Sequence, residues 1–209
     1  MAPIPQHGAD AGKPEPDALE PEAPHVKATT LAGPIGALLA QDDGAAPSAR
    51  SVKLLQTTIN EVNRPAAFDW NWSKHGKIDV DGDIGPQTLA GLERASERMG
   101  GAAAFAHRFA QAGFRDYARR LDRGLERLEN LPAMVDATFG RLDPDAATGL
   151  QDMLNVTRDE LPGHVRFRPL LRDGIIGPVT TDAFRTALYG LGPDHLAENM
   201  AAAFRAEAV

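Results

Sequence analysis

Apolar residues recur along this chain at spacings of three and four, the signature of amphipathic helices. Val52, Leu55, Ile59 and Val62 set the first such face and predict a helix over 50–64. Ser48 or Ser51 can cap its start. Pro65 ends it, because the residue before a proline avoids helical geometry. Leu89, Leu92 and Met99 predict a helix over 86–99, stopped by Gly100-Gly101. Phe105 and Phe109 share a face, and Tyr117, Leu121, Leu125 and Leu128 follow at four, four and three, predicting helices over 102–112 and 114–130. Near the end, Leu196, Met200 and Phe204 line one side of a helix that starts by Gly192-Pro193. The pattern reads as all-α.

Between these faces one block occurs twice. Asp81-Gly82-Asp83-Ile84-Gly85-Pro86-Gln87-Thr88 returns as Asp173-Gly174-Ile175-Ile176-Gly177-Pro178-Val179-Thr180. Each copy follows a linked block, Leu55-Gln56-Thr57-Thr58-Ile59-Asn60 and Leu150-Gln151-Asp152-Met153-Leu154-Asn155. In each copy the Asp-Gly pair makes a tight turn, since Asp bonds its own downstream backbone and Gly accepts positive φ. The second Gly and the Pro then open a helix, where proline loses no hydrogen bond. Thr88 and Thr180 fall in the first turn, within reach of free backbone groups. Gly85→Val should therefore damage folding more than binding, through turn strain. The chain reads as two copies of one small helical unit.

This pattern, Leu-Gln-x-x-Ile/Leu-Asn and then Asp-Gly-x-Ile-Gly-Pro-x-Thr, resembles the peptidoglycan-binding domain family. The run Asp81–Leu92 with Phe114-Arg115-Asp116-Tyr117 is most similar to the C-terminal binding domain of phage-type, lysozyme-like muramidases. The resemblance covers about residues 50–130 well and 148–205 less well. It implies small three-helix units in tandem over 49–131 and 148–209, the second shorter. Residues 132–147, broken by Pro132 and Asp143-Pro144, would link them. It also implies a ligand groove near the two turns. Asp81, Gly82, Gly85, Pro86 and Thr88 would stand there, and Asp173, Gly174, Gly177, Pro178 and Thr180 in the second copy, with Gly and Pro present for shape.

Side-chain chemistry adds Trp70, Asn71 and Trp72 to the first site. Two indoles at i and i+2 share a face on an extended segment. Aromatic faces beside Asn71 and Asp69 suit a sugar, which presents C–H groups on one face and hydroxyls at its rim. Packing over the helical core is the competing use of these rings. The second copy has His164-Val165-Arg166-Phe167-Arg168 in this place, so the two sites should not be equivalent.

Charge sharpens the division of the chain. The formal net charge is −7, and residues 1–48 alone hold seven acidic residues against two lysines, with half of all the prolines. Such a Pro/Ala-rich segment cannot bury enough apolar area to offset its ordering entropy. It reads as an extended N-terminal arm, disordered or held by a protein partner. The apolar island Leu31–Leu39 within it is either a docking peptide or incidental to a linker. Arg108, Arg115, Arg119, Arg120, Arg123 and Arg127 alternate with acids, which suits a solvated face of i,i+4 pairs or a surface for an acidic partner. Clustered positive charge of the kind nucleic acid requires is missing. The start of the chain lacks a basic segment followed by an apolar run, so the protein is expected to be made in the cytoplasm without a secretory signal. No stretch nears the roughly 20 apolar residues of a membrane helix.

Catalysis is not expected. Glu15, Glu20 and Glu22 lie in the arm, where nothing holds geometry. Asp79, Asp81 and Asp83 lack the Gly and Glu of a calcium loop, because Ile84 and Ala90 stand there. There is no Cys, and the six histidines form no close pair, so no metal or cofactor is expected. The reading is a non-catalytic binder of peptidoglycan or another cell-envelope glycan, tethered through its arm to a larger assembly and acting at the bacterial envelope. Self-association within that assembly is left open. The alternative is a structural component of a phage-like particle, such as a spike or spike base, that reuses the fold without a glycan. A lytic enzyme is a third reading, which a clearing band on a zymogram would establish.

Overall fold

The computed structural model describes residues 34–39, 47–67, 76–140, 143 and 145–206. Trp70, Asn71 and Trp72 lie outside the described residues, as does most of the expected arm. All regular structure among the described residues is helical: α1 (Pro34–Leu39), α2 (Ala49–Asn63), α3 (Pro86–Met99), α4 (Ala102–Asp122), α5 (Leu131–Val135), α6 (Ala146–Glu160), α7 (Pro178–Leu191) and α8 (Pro193–Ala206). A π-helical turn, Asp136–Gly140, continues α5.

Local chemistry sets most of these boundaries. Ser48 caps α2, its hydroxyl accepting from the Ser51 N–H at 3.1 Å. Pro86 and Pro178 occupy the first turns of α3 and α7. Gly100 ends α3 in the left-handed region at φ 86°, and the Gly101 N–H closes the turn onto the Ser96 carbonyl at 2.8 Å.

Helix α4 departs from expectation at both the middle and the end. It runs through Gly113 unbroken, so the two helices expected over 102–130 are one over 102–122. A Cβ on Gly113 would stand 3.2 Å from the Thr138 methyl, so the glycine serves close packing rather than a break. The helix then stops because Gly124 turns left-handed, at φ 69°.

Two apolar cores lie along this helix. Phe105, Ala106 and Phe109, from its first half, join Leu55 and Ile59 of α2, Leu92 and Ala95 of α3, and Ile78 and Ile84 of the intervening loop. Phe114, Tyr117 and Ala118, from its second half, join Leu150 and Leu154 of α6, Phe184 of α7, and Leu196 and Met200 of α8. Helix α4 is thus a wall of both cores. The segment expected to link the units also belongs to the second core, for Leu131, Val135 and Phe139 are 0%, 1% and 1% exposed. Pro132 starts α5 instead of breaking the chain, since its missing N–H costs nothing in a first turn. The boundaries drawn at 131 and 147 therefore pass through packed structure. The second unit, expected to be the shorter, draws on α4 and α5 as well as α6–α8.

The apolar island near residue 35 finds its partner within the chain. Ile35 and Leu39 are buried in the first core, and α1 packs on α4. Pro34–Leu39 is thus part of the body, although the arm was expected to extend to residue 48. The arginines of α4 make ion pairs mainly to other helices rather than along their own. Arg108 reaches Glu61 at 3.4 Å, Arg119 reaches Asp194 at 2.7 Å, and Asp116 is paired with Arg50.

Candidate functional site

Each turn of the repeated block is clamped by one buried glutamine. In the first copy, Gln56 of α2 is 1% exposed. Its Nε2 donates to the Asp81 carboxylate at 2.7 Å and to the Asp83 carbonyl at 2.9 Å, while its Oε1 accepts from the Gly82 N–H at 2.9 Å. The Asp83 N–H closes onto the Asp81 carboxylate at 2.9 Å, and the Thr88 hydroxyl donates to the Asp83 carbonyl at 3.2 Å. The second copy repeats these bonds. Gln151 donates to Asp173 at 2.7 Å and to the Ile175 carbonyl at 3.0 Å, and accepts from the Gly174 N–H at 3.0 Å. The Ile175 N–H bonds Asp173 at 2.9 Å, and the Thr180 hydroxyl bonds the Ile175 carbonyl at 3.2 Å.

A second clamp stands one helical turn along. The Asn60 side chain donates to the Ile78 carbonyl and accepts from the Ile78 N–H, both at 2.9 Å. Asn155 does the same to Leu170, at 3.1 and 2.7 Å. The Leu-Gln-x-x-Ile/Leu-Asn block is therefore the part of the helix that grips the following loop as if it were a pairing strand.

These contacts decide what the repeated residues do. Asp81, Gly82 and Thr88, and Asp173, Gly174 and Thr180, all bond within the turns, each aspartate through its Oδ1. Gly82 and Gly174 take positive φ, 95° and 70°, as the turn requires. Gly85 and Gly177 do not. Their φ values are −98° and −94°, in extended backbone open to any residue, and no atom lies within 4 Å of a Cβ built on Gly85. The strain expected from Gly85→Val has no basis in this geometry. The tight glycine of α3 is instead Gly91, where a Cβ would meet Ile59 at 3.0 Å and Ile78 at 3.1 Å.

Both turn aspartates have lowered pKa values, although they lie at the surface. For Asp81 the Asp83 N–H is the main cause, followed by Gln56. For Asp173 the amide of Gln151 comes first, then the Ile175 N–H. The charged forms are thus the ones the fold favours. Their contribution is present above about pH 4, the unfolded carboxylate value, and is lost as pH falls through the lower folded values. A thermal-melt series should show the wild type losing stability on the acid side. The Asp81→Asn/Asp173→Asn variant should start lower at neutral pH and converge with the wild type in acid. Parallel curves would mean that these carboxylates are not linked to folding.

Further exposed polar side chains lie beside the first turn. A groove of about 430 Å³ flanks the first turn, lined by Gly76, Lys77, Ile78, Asp79, Gln87, Ala90 and Arg94. Lys77, Asp79, Gln87 and Arg94 are exposed, and none of their side chains forms a hydrogen bond or ion pair with another described residue. Gln87, Ala90 and Arg94 recur at three and four on α3, on the side away from Leu92 and Ala95. This stripe was present in the sequence, but an exposed polar face carries no mark that separates a site from plain solvation. The segment holding Trp70 and Trp72 ends where the groove begins, at Gly76. A second hollow, about 420 Å³, runs along α4 between Leu54 and Met134. Its charged rim is already paired, Arg50 with Asp116 and Arg120 with Glu126.

Among the described residues no group of three or more His, Cys, Asp or Glu can hold a metal, and no helix is long and apolar enough to cross a membrane. Tyr117 is a core residue: burial and then the Glu126 charge push its pKa to about 12, and its hydroxyl donates to the Arg127 carbonyl at 2.9 Å. No family model, curated protein or solved structure matches this chain.

Proposed function

We propose that this chain is a non-catalytic binder of a cell-envelope glycan, with peptidoglycan the favoured ligand. Its groove beside the first turn is the binding surface, and its arm fixes it to a larger assembly at the envelope. One observation carries the reading. The side chains of Lys77, Asp79, Gln87 and Arg94 offer donors and acceptors around one groove, in a unit whose turn is held by its own hydrogen bonds. A glycan presents many hydroxyls and, in peptidoglycan, carboxylates, which such a set can meet. Trp70, Asn71 and Trp72 supply the stacking surface in this proposal.

A second reading is a structural component of a phage-like particle, without a glycan. The internal bonding of both turns favours it, because it gives Asp81, Gly82 and Thr88 and their counterparts a role in folding.

The deciding experiment is co-sedimentation of the full chain with purified insoluble peptidoglycan. The wild type should sediment with the wall. Gln87→Ala/Arg94→Ala and Trp70→Ala/Trp72→Ala should each weaken binding by about tenfold or more, equivalent to roughly 1.4 kcal/mol. Equal binding by all three proteins would move the site elsewhere. No sedimentation of the wild type would leave the structural reading.

A further inference from the structure

The two units can be compared position by position, because their turns are superimposable in sequence at an offset of 92 residues. In the first unit Asp79, Asp83, Gln87 and Glu97 are exposed and polar. Their counterparts in the second are Leu171, Ile175, Val179 and Tyr189, exposed by 79%, 64%, 70% and 89%. Four polar positions have become large apolar ones without becoming buried. Single exposed apolar residues need no explanation, but four of the eight large ones exposed among the described residues fall on this one turn and its helix, which marks a contact surface.

The helix itself says what kind of surface. Val179, Asp182, Arg185 and Tyr189 recur at three, three and four on the outer side of α7, opposite the buried Phe184 and Leu188. Along this stripe the order is apolar, acidic, basic, aromatic. Read in the opposite direction, the same stripe is its own complement. We propose that α7 pairs antiparallel with α7 of a second copy of this chain. A twofold axis near residue 184 sets Val179 against the second copy's Tyr189 and Asp182 against its Arg185. Such an isologous contact closes as a dimer. Asp182 and Arg185 already stand 3.0 Å apart within one chain, both about two-thirds exposed, so the dimer joins two existing pairs into a four-charge cluster. Tyr189 supplies an aromatic anchor of the kind enriched in interfaces. Leu171 and Ile175 extend the apolar area from the preceding turn.

Sedimentation equilibrium of the full chain over a concentration series tests the proposal. The average mass should rise from 22.3 kDa towards twice that value. Val179→Ser/Tyr189→Ser should raise the dimer dissociation constant by more than about tenfold. Circular dichroism and melting of that variant should stay unchanged, since both side chains are exposed. Asp182→Arg and Arg185→Asp should each weaken the dimer, and the two together should restore it. A wild type that stays monomeric at every concentration overturns the proposal. So does a dimer indifferent to the serine variant, or a charge exchange that fails to rescue.

Discussion

Phe114→Ala is expected to cost about 3–5 kcal/mol of stability, the range for emptying a fully buried phenylalanine site. Phe114 is 0% exposed and meets Phe139 and Phe184 edge-on, with ring centroids 6.0 and 5.7 Å away. A total stability of about 5–15 kcal/mol leaves little margin for such a loss. The consequence reaches beyond the second core, because Phe114 stands on the helix that also carries Phe105 and Phe109 of the first. Urea unfolding should therefore remain one transition with its midpoint lowered. Tryptophan fluorescence reports the first unit, where both tryptophans of the chain lie, and circular dichroism reports all helices. Both probes should shift together in the variant. A fluorescence midpoint that stays in place while the helical signal splits would show that the cores fold independently.

Gln56→Met should be the most damaging of the polar changes, at about 2–4 kcal/mol. The substitution keeps the side-chain volume and removes only the hydrogen bonds. It leaves the buried Gly82 N–H and the Asp83 carbonyl without the amide partner and strips Asp81 of its amide donor. Gln151→Met removes the equivalent bonds, yet Gly174 is exposed where Gly82 is buried, so water can replace the lost acceptor. The second change should cost roughly half as much. Chemical denaturation of the two variants under one set of conditions measures the order. Equal losses would show that solvent does not reach the second turn. Because Asp79 and Gln87 flank the first turn, the proposed glycan binding adds a second expectation: Gln56→Met should weaken co-sedimentation with peptidoglycan more than Gln151→Met does.

How much of this was legible depended on what each residue announces. Helix α3 was readable to the residue, since Pro86 and Gly100 mark its ends by backbone chemistry alone. Helix α4 was not. A glycine inside a helix costs only about 1 kcal/mol, and packing of Gly113 against Thr138 outweighs it. The run to Leu128 kept helical spacing past the point where Gly124 had turned the chain. Periodicity shows that Leu131, Val135 and Phe139 have an apolar face, but not which core receives it. The repeated block pointed to the right turns, while the role of Gln56 and Gln151 needed coordinates. A buried amide and a surface amide are the same letters in a sequence. The resemblance to a peptidoglycan-binding domain rests on those same turn residues. The structure commits them to holding the loop, so the question of ligand passes to the side chains around it.

The shared helix also bears on how such a chain can change over generations. Modular proteins are rearranged by exchanging units at flexible joints, and a duplicated unit usually keeps that freedom. Here an exchange between the two copies would either cut α4 or leave one core missing a wall. A half taken alone would keep its own helices but lose part of the α4 wall that its core packs on. The shared helix ties the two halves together, so change is freest in the surface chemistry of each while the strut between them stays fixed.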